Sequence, residues 1–202
     1  MKDFIEVFDN ALSSDECKQI IDFFERDGGD PFDKIHRKED RECNTISMDL
    51  NEEEFSPCNT IISKALNHHT PKYIEMYPEL QSITPWGPFH GYNTQRYLPN
   101  QCYWKAHTEN DGVMFMRCGV WTIYLNTVTD GGGTTFTQHN KTIDAVEGRL
   151  VIWPAYWTHF HKGIVSKTQT KYIATGWYVH KHLEHIKPFA KGDIQYGTDN
   201  EI

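Results

Sequence analysis

His107 and Glu109, in the run WKAHTEND, stand two residues apart, so a strand would carry both side chains to one face, the local geometry for two ligands of one metal ion. Taken alone the pair means little. With 11 His and 28 Asp plus Glu in 202 residues, chance supplies roughly 1.5 such His-x-carboxylate pairs. A second one, His182 with Glu184, does occur in HKHLEH. The first pair gains weight from its company. A third candidate ligand, His161, lies 54 residues downstream, beside the alternating run KYIATGWYV. That run begins with Lys171, whose side chain falls on the face of Ile173, Thr175 and Trp177. An ammonium on an apolar, aromatic face is costly, so either the register differs and Lys171 sits at a frayed strand end, or an anion meets it inside.

Two imidazoles and one carboxylate on one side of a metal leave its other positions open, which is the facial arrangement of non-haem Fe(II) oxygenases. Such a centre takes a bidentate keto acid and then dioxygen. A 2-oxoglutarate bound by its keto end holds its far carboxylate away from the iron, where a buried cation must meet it. Lys171 is the candidate for that cation. Rivals exist for two of the ligands. Asp111 follows Glu109 by two residues, and Glu109 is preferred because Gly112 marks a chain already turning. His159 precedes His161 by two and shares its face in a regular strand. The cluster His180, His182, Glu184 and His185 reads as solvated surface, and Trp121, Trp153 and Trp157 read as core or pocket wall.

The elements that must position these residues follow from periodicity. DFIEVFDN reads as a short strand, and SSDECKQIIDFFERDGG as a helix with Cys17, Ile20, Ile21 and Phe24 on one stripe. Ser13 and Glu16 have capping-box spacing, and Gly28-Gly29 supply the stop. A second helix begins near Pro57 with Ile61, Ile62, Ala65 and Leu66 as its stripe, until HHTPKY disturbs the pattern. From Gly91 the chain changes to short runs rich in Tyr, Trp, Thr, Val and Ile. These are GYNTQRYL, QCYWKAH, GVWTIYLN, TTFTQ, RLVIWPA and KYIATGWYV, separated by breaks such as PN, DGGG and EGR. Short strands at this spacing predict a mainly β fold with N-terminal helices and a jelly-roll core. The expected organisation is one domain over 1–202: helical support over 1–90, a jelly-roll catalytic core over 91–180, and a C-terminal tail over 181–202. The polar stretch 30–42, DPFDKIHRKEDRE, reads as a lid or a surface loop.

Composition narrows the partners. At 38% hydrophobic residues the chain buries a sizeable core. A net charge of −8 and a longest charge run that mixes both signs, KIHRKEDRE, disfavour nucleic acid, while leaving room for one positive pocket for a small anion. Five cysteines, odd in number and without a CxxC pair, read as free thiols of a reducing compartment. With no charged-then-apolar leader and no membrane-length apolar run, the expectation is a cytoplasmic protein without a membrane partner.

Three blocks of sequence resemble the Fe(II)/2-oxoglutarate-dependent dioxygenases, and within them the prolyl 4-hydroxylase-like group. VWTIYLNTVTDGGGTTF is similar to that group's strand-turn-strand with its Gly-Gly-x-Thr-x-Phe turn. GRLVIWPAYWTHFHKGIVSKTQTKYIATGW carries the distal His161, the Gly two residues on, Lys171 at plus ten and Trp177 at plus sixteen. VFDNALSSDECKQIIDFF resembles the opening strand and helix. The resemblance implies a double-stranded β-helix, Fe(II) held by His107, a carboxylate and His161, 2-oxoglutarate held by Lys171, and dioxygen as the oxidant. It also implies hydroxylation of an unactivated C–H bond, with a peptidyl proline as the leading substrate. The alternatives are a free amino acid or other small metabolite, or a jelly-roll metal-binding module without turnover. Two departures stand out: Glu109 replaces the family's usual Asp, and RYLPNQCYWKAH has Asn100 where the family has Gly, with one extra residue before His107. Tyr97, rather than Tyr103, is the expected hydroxyl donor to the co-substrate.

Overall fold

The computed structural model describes residues 2–27, 39–83, 85–112 and 114–181. In chain order these form β1 (Glu6–Phe8), α1 (Ser14–Asp27), β2 (Asn44–Asp49), α2 (Ser56–Met76), β3 (Trp86–Tyr97), β4 (Arg117–Tyr124), β5 (Thr134–Phe136), β6 (Lys141–Ile143), β7 (Leu150–Pro154), β8 (His161–Gly163) and β9 (Lys171–His180). Six strands make a larger sheet in the order β1-β7-β4-β9-β3-β2, and three make a smaller one, β6-β5-β8. All pairings are antiparallel. This is the expected mainly β, jelly-roll architecture. The first ninety residues supply more than helices, since β1 and β2 close the two edges of the larger sheet.

Alternation in the central strands explains how two cores form. In β4 and β7, Trp121, Ile123, Leu150 and Ile152 point outward and join the stripe of α1 (Cys17, Ile20, Phe23) and that of α2 (Ile61, Ile62, Ala65, Leu66). Their neighbours Val120, Tyr124, Val151 and Trp153 point inward, toward Phe136 and Ile143 of the smaller sheet. With both faces covered, these strands are apolar almost throughout, as buried central strands must be. Each large side chain buried this way contributes about 1.5–3 kcal/mol.

The helix starts are read correctly from sequence. Ser13 N donates to Glu16 Oε2 at 2.9 Å and Glu16 N to Ser13 Oγ at 3.3 Å, the reciprocal capping box that opens α1. Gly28 and Gly29, and most of the 30–42 stretch, lie outside the described residues. Two expectations are corrected. HHTPKY does not end α2, which runs through Pro71 to Met76 because His69 and Tyr73 continue the buried stripe of Ile62 and Leu66. That burial outweighs the hydrogen bond lost at Pro71. QCYWKAH is not a regular strand: its pairing is reduced to two isolated bridges, Arg41 with Tyr103 and His107 with His161. Asn100 turns the chain with φ +70°, and Trp104 N and Lys105 N both donate to the single carbonyl of Asp40.

Gly176, between Thr175 and Trp177 of β9, shows how tightly the larger sheet is packed. A β-carbon there would lie 2.5 Å from Cζ2 of Trp121, an indole with no exposed surface. Gly176→Ala is expected to cost about 1–3 kcal/mol by overpacking, read as a lowered urea midpoint with an unchanged slope.

Asp130 stitches the Gly-rich turn to the segment that leads into β9. Its carboxylate accepts from Ser166 Oγ (2.5 Å), Lys167 N (3.0 Å), Thr168 N (2.9 Å) and Thr168 Oγ1 (2.8 Å). These bonds, the Ser166 and Thr168 hydroxyls foremost, pull its pKa from an ordinary 3.8 to about 2. A carboxyl whose folded pKa is depressed stabilises the fold above its unfolded pKa and loses that contribution as pH falls through the folded one. Asp130→Asn is therefore expected to lower Tm by a constant amount above about pH 4, with the gap to the parent protein closing toward pH 2, as followed by thermal melts across an acid series.

Candidate metal centre

The two sheets enclose a cavity of about 480 Å³ whose lining includes His107, Glu109, His161 and Lys171. Backbone pairing brings the two histidines together. His107 N donates to His161 O at 3.0 Å and His161 N to His107 O at 3.0 Å, so residues 54 apart in sequence sit opposite each other. Their rings are 4.4 Å apart. Each ring is held from behind: His107 stacks on Tyr103 at 3.7 Å, and His161 packs against Trp153 at 5.1 Å and Phe136 at 5.7 Å. Nδ1 of His107 meets Lys105 O at 2.9 Å, and Nδ1 of His161 meets His159 O at 3.0 Å. A carbonyl can only accept, so Nδ1 carries the hydrogen in both rings and Nε2 is the atom presented to the cavity.

Both Nε2 atoms converge on one carboxylate oxygen. Glu109 Oε1 lies 3.3 Å from His107 Nε2 and 3.7 Å from His161 Nε2. Among the described residues these three side chains are the only group of three or more His, Cys, Asp or Glu whose ligand atoms gather closely, all within 4.8 Å of one another. Donors bound to one ion at about 2.1 Å and roughly right angles stand about 3 Å apart. The spacing therefore suits a shared ion after side-chain adjustments of less than an ångström. Burial alone would raise the Glu109 pKa, but the two imidazoles of His107 and His161 beside it outweigh burial and hold the carboxyl well below its usual range. A carboxylate and two imidazoles anchored through Nδ1 fit a divalent transition metal.

The other oxygen, Oε2, faces away from the histidines. It accepts from Trp177 Nε1 at 2.8 Å and from Arg117 Nη1 at 3.3 Å, and the Arg117 guanidinium lies over the Trp177 ring at 3.6 Å. Neither rival ligand joins the group. Asp111 instead accepts from Met114 N at 3.3 Å and adds to the negative charge around Arg117. His159 lies in a 3-10 turn, Trp157–His159, rather than in a strand, so it does not share the face of His161. Its Nε2 meets Asp3 O at 2.7 Å and its Nδ1 meets Thr158 Oγ1 at 2.8 Å. Of the C-terminal cluster, His182, Glu184 and His185 lie outside the described residues.

Lys171 opens β9 with its side chain inside, at 6% exposure, as the alternation of KYIATGW predicts. Among the described residues its ammonium lies 4.3 Å from the centre of the Tyr97 ring and forms no ion pair with a carboxylate. Burial pushes its pKa below the usual lysine value, against the opposing pull of the Cys102 and Cys43 thiols. All five cysteines are free. Tyr97 lines the same cavity, where its hydroxyl donates to Gln95 Oε1 at 2.8 Å and its ring faces Lys171. Sequence reading passed over Tyr124, which shares the cavity wall with Lys171 and has its hydroxyl 2.7 Å from Thr134 Oγ1. The signal was present in WTIY, because Thr122 and Tyr124 alternate onto one face. What was missing was that β4 lies beside β9.

Comparison with known proteins agrees with this geometry. Residues 92–179 match the model of the 2OG-Fe(II) oxygenase superfamily, a stretch that contains all four of these residues. No curated protein matches the sequence. Among solved structures, the fold is similar to a viral collagen prolyl hydroxylase from Paramecium Bursaria Chlorella virus-1 in its 2OG complex, with TM-score 0.65 and 21% identity over 87% of this chain and 95% of that one. It is also similar to a Pseudomonas putida prolyl-4-hydroxylase (TM-score 0.65, 16% identity, 89% and 94% covered). A third is a Trichoplax adhaerens prolyl hydroxylase in complex with a hypoxia inducible factor peptide fragment (TM-score 0.67, 18% identity, 89% and 84% covered). At these identities the likeness concerns the fold. The family's Fe(II), 2-oxoglutarate and dioxygen fit a cavity that joins two imidazoles, one carboxylate and a buried ammonium. The family match over the cavity-forming strands makes residues 92–179 similar to the 2OG-Fe(II) oxygenase superfamily, and the fold is one shared with prolyl hydroxylases.

Proposed function

We propose that His107, Glu109 and His161 hold the Fe(II), that Lys171 receives the far carboxylate of 2-oxoglutarate, and that the prime substrate is a peptidyl proline. The observation that carries the site assignment is the convergence of two Nε2 atoms on Glu109 Oε1 in the same cavity as an ammonium that has no carboxylate partner among the described residues. When bound, the metal supplies oxidative decarboxylation of 2-oxoglutarate to succinate and carbon dioxide, with one oxygen atom of dioxygen passing to succinate and the other to a substrate C–H bond. The chain's own residues do the positioning. Backbone carbonyls of Lys105 and His159 fix the two rings, and the Phe136 and Trp153 side chains shield His161 from water. Lys171 and the Tyr124 hydroxyl offer a charge and a hydrogen bond at one end of the co-substrate, so its reacting end is oriented toward the histidines.

The peptide assignment is supported by the likeness to three prolyl hydroxylase folds, one of them solved with a peptide. The cavity lining suits a polar chain, since it includes Asp40, Arg41, Asp111 and Arg117. The test is a mass-spectrometric screen for gain of one oxygen atom across proline-containing peptides and free amino acids, run with Fe(II) and 2-oxoglutarate. Oxygen on a prolyl residue within a peptide is the expected result. Oxygen only on a free amino acid or small metabolite would replace the peptide assignment while leaving the site intact.

A further inference from the structure

A glutamate at the carboxylate position poses a geometric problem more sharply than the shorter aspartate. Its extra methylene adds a rotatable bond, and both of its oxygens can swing onto one ion. Bidentate binding would consume a coordination position that a chelating keto acid and dioxygen require. The structure shows what opposes this. Oε1 faces His107 and His161, while Oε2 is turned away and held by Trp177 Nε1 at 2.8 Å and Arg117 Nη1 at 3.3 Å. Arg117 is fixed in turn. Its guanidinium lies 3.6 Å over the Trp177 ring, and Nη1 also reaches the Glu109 carbonyl oxygen at 3.4 Å. The two holders come from different strands, Arg117 from the start of β4 and Trp177 from β9, and these strands pair directly, Arg117 with Val179 and Val120 with Trp177.

We propose that Arg117 and Trp177 are positioning residues that lock Glu109 into one-oxygen coordination, and that this pair is what lets a glutamate serve here. The inference rests on the proposed ligand set. It yields an unusual expectation: Glu109→Asp, which installs the more common carboxylate, shortens the arm so that one group can no longer reach both the metal side and the Trp177 N–H.

The probe is Co(II), titrated anaerobically into the full-length metal-free protein, with affinity from calorimetry and coordination from its visible absorption. Outer-shell partners of this kind are worth about 10- to 100-fold in metal affinity. Arg117→Gln and Trp177→Phe are each expected to weaken Co(II) by that factor and to shift its visible bands as the second oxygen becomes free to bind. Arg117→Lys, which keeps the charge but loses the planar stack, should restore only part of both. Glu109→Asp should weaken Co(II) at least as much as Trp177→Phe. The metal-free Tm of Arg117→Gln, at a side chain lining the cavity, controls for misfolding. A merely structural role would move Tm without moving the spectrum of the bound ion. Unchanged affinity and spectrum in both Arg117→Gln and Trp177→Phe would overturn the proposal, as would a Glu109→Asp protein that binds Co(II) as tightly as the parent. Failure of the ligand set itself looks different: the parent would not bind Co(II), or His107→Ala would bind it undiminished.

Discussion

His161→Ala is expected to reduce Fe(II)-dependent formation of succinate from 2-oxoglutarate to background, with a loss well beyond the roughly 10- to 100-fold typical of outer-shell changes. The size follows from geometry. His161 supplies one of only two imidazoles in the cluster, and its backbone exchanges both hydrogen bonds with His107. Truncation at Cβ removes the ligand while leaving those backbone bonds in place. The variant should therefore fold, keep its metal-free Tm within a few degrees, and fail to bind metal. His159→Ala is the internal control. Its ring is bonded to Asp3 O and Thr158, and stacks on His139 at 4.6 Å, so it should lower stability and leave succinate formation per folded molecule unchanged. Succinate release at the parent rate from His161→Ala would remove that residue from the centre.

Lys171→Ala and Lys171→Met separate what the ammonium does for function from what it costs the fold. Deleting one partner of a buried ion pair typically costs 3–5 kcal/mol, so the KM for 2-oxoglutarate should rise by roughly a hundred- to several-thousandfold, with kcat at saturating co-substrate reduced far less. The same side chain is a liability in the co-substrate-free protein, where it is 6% exposed and faces the Tyr97 ring rather than a carboxylate. Burying a charge without an opposite partner is unfavourable. Lys171→Met, similar in length and apolar, should therefore raise the Tm of the co-substrate-free protein by about 2–4 °C for each kcal/mol recovered. Added 2-oxoglutarate should stabilise the parent and leave Lys171→Met unmoved. A co-substrate dependence that is unchanged in Lys171→Ala would refute the assignment.

Much of the fold was legible because period and caps are local. The stripe of α1, its Ser13–Glu16 box and the alternation of β4, β7 and β9 each rest on residues a few positions apart. Reading failed where a local signal was overridden from a distance. Pro71 marks a helix end, but α2 continues because His69 and Tyr73 are buried against other elements. QCYWKAH has strand composition, but its backbone groups are taken piecemeal, by Asp40 and by His161 and Gly163 of β8, rather than by a continuous ladder.

For the site, residue types and spacing by themselves determined the inventory: two imidazoles, a carboxylate and an inward lysine, with motif blocks around each. Alternation alone was enough to turn Lys171 inward, since a strand side chain's face depends only on its own register. Only the tertiary structure decided which carboxylate joins the histidines, which histidine is occupied elsewhere, and that Tyr124 lines the cavity together with Tyr97. Those outcomes depend on which strands become neighbours. Strand neighbours are set by hydrogen bonds between residues far apart in the chain, such as the reciprocal pair between His107 and His161, which no periodicity records.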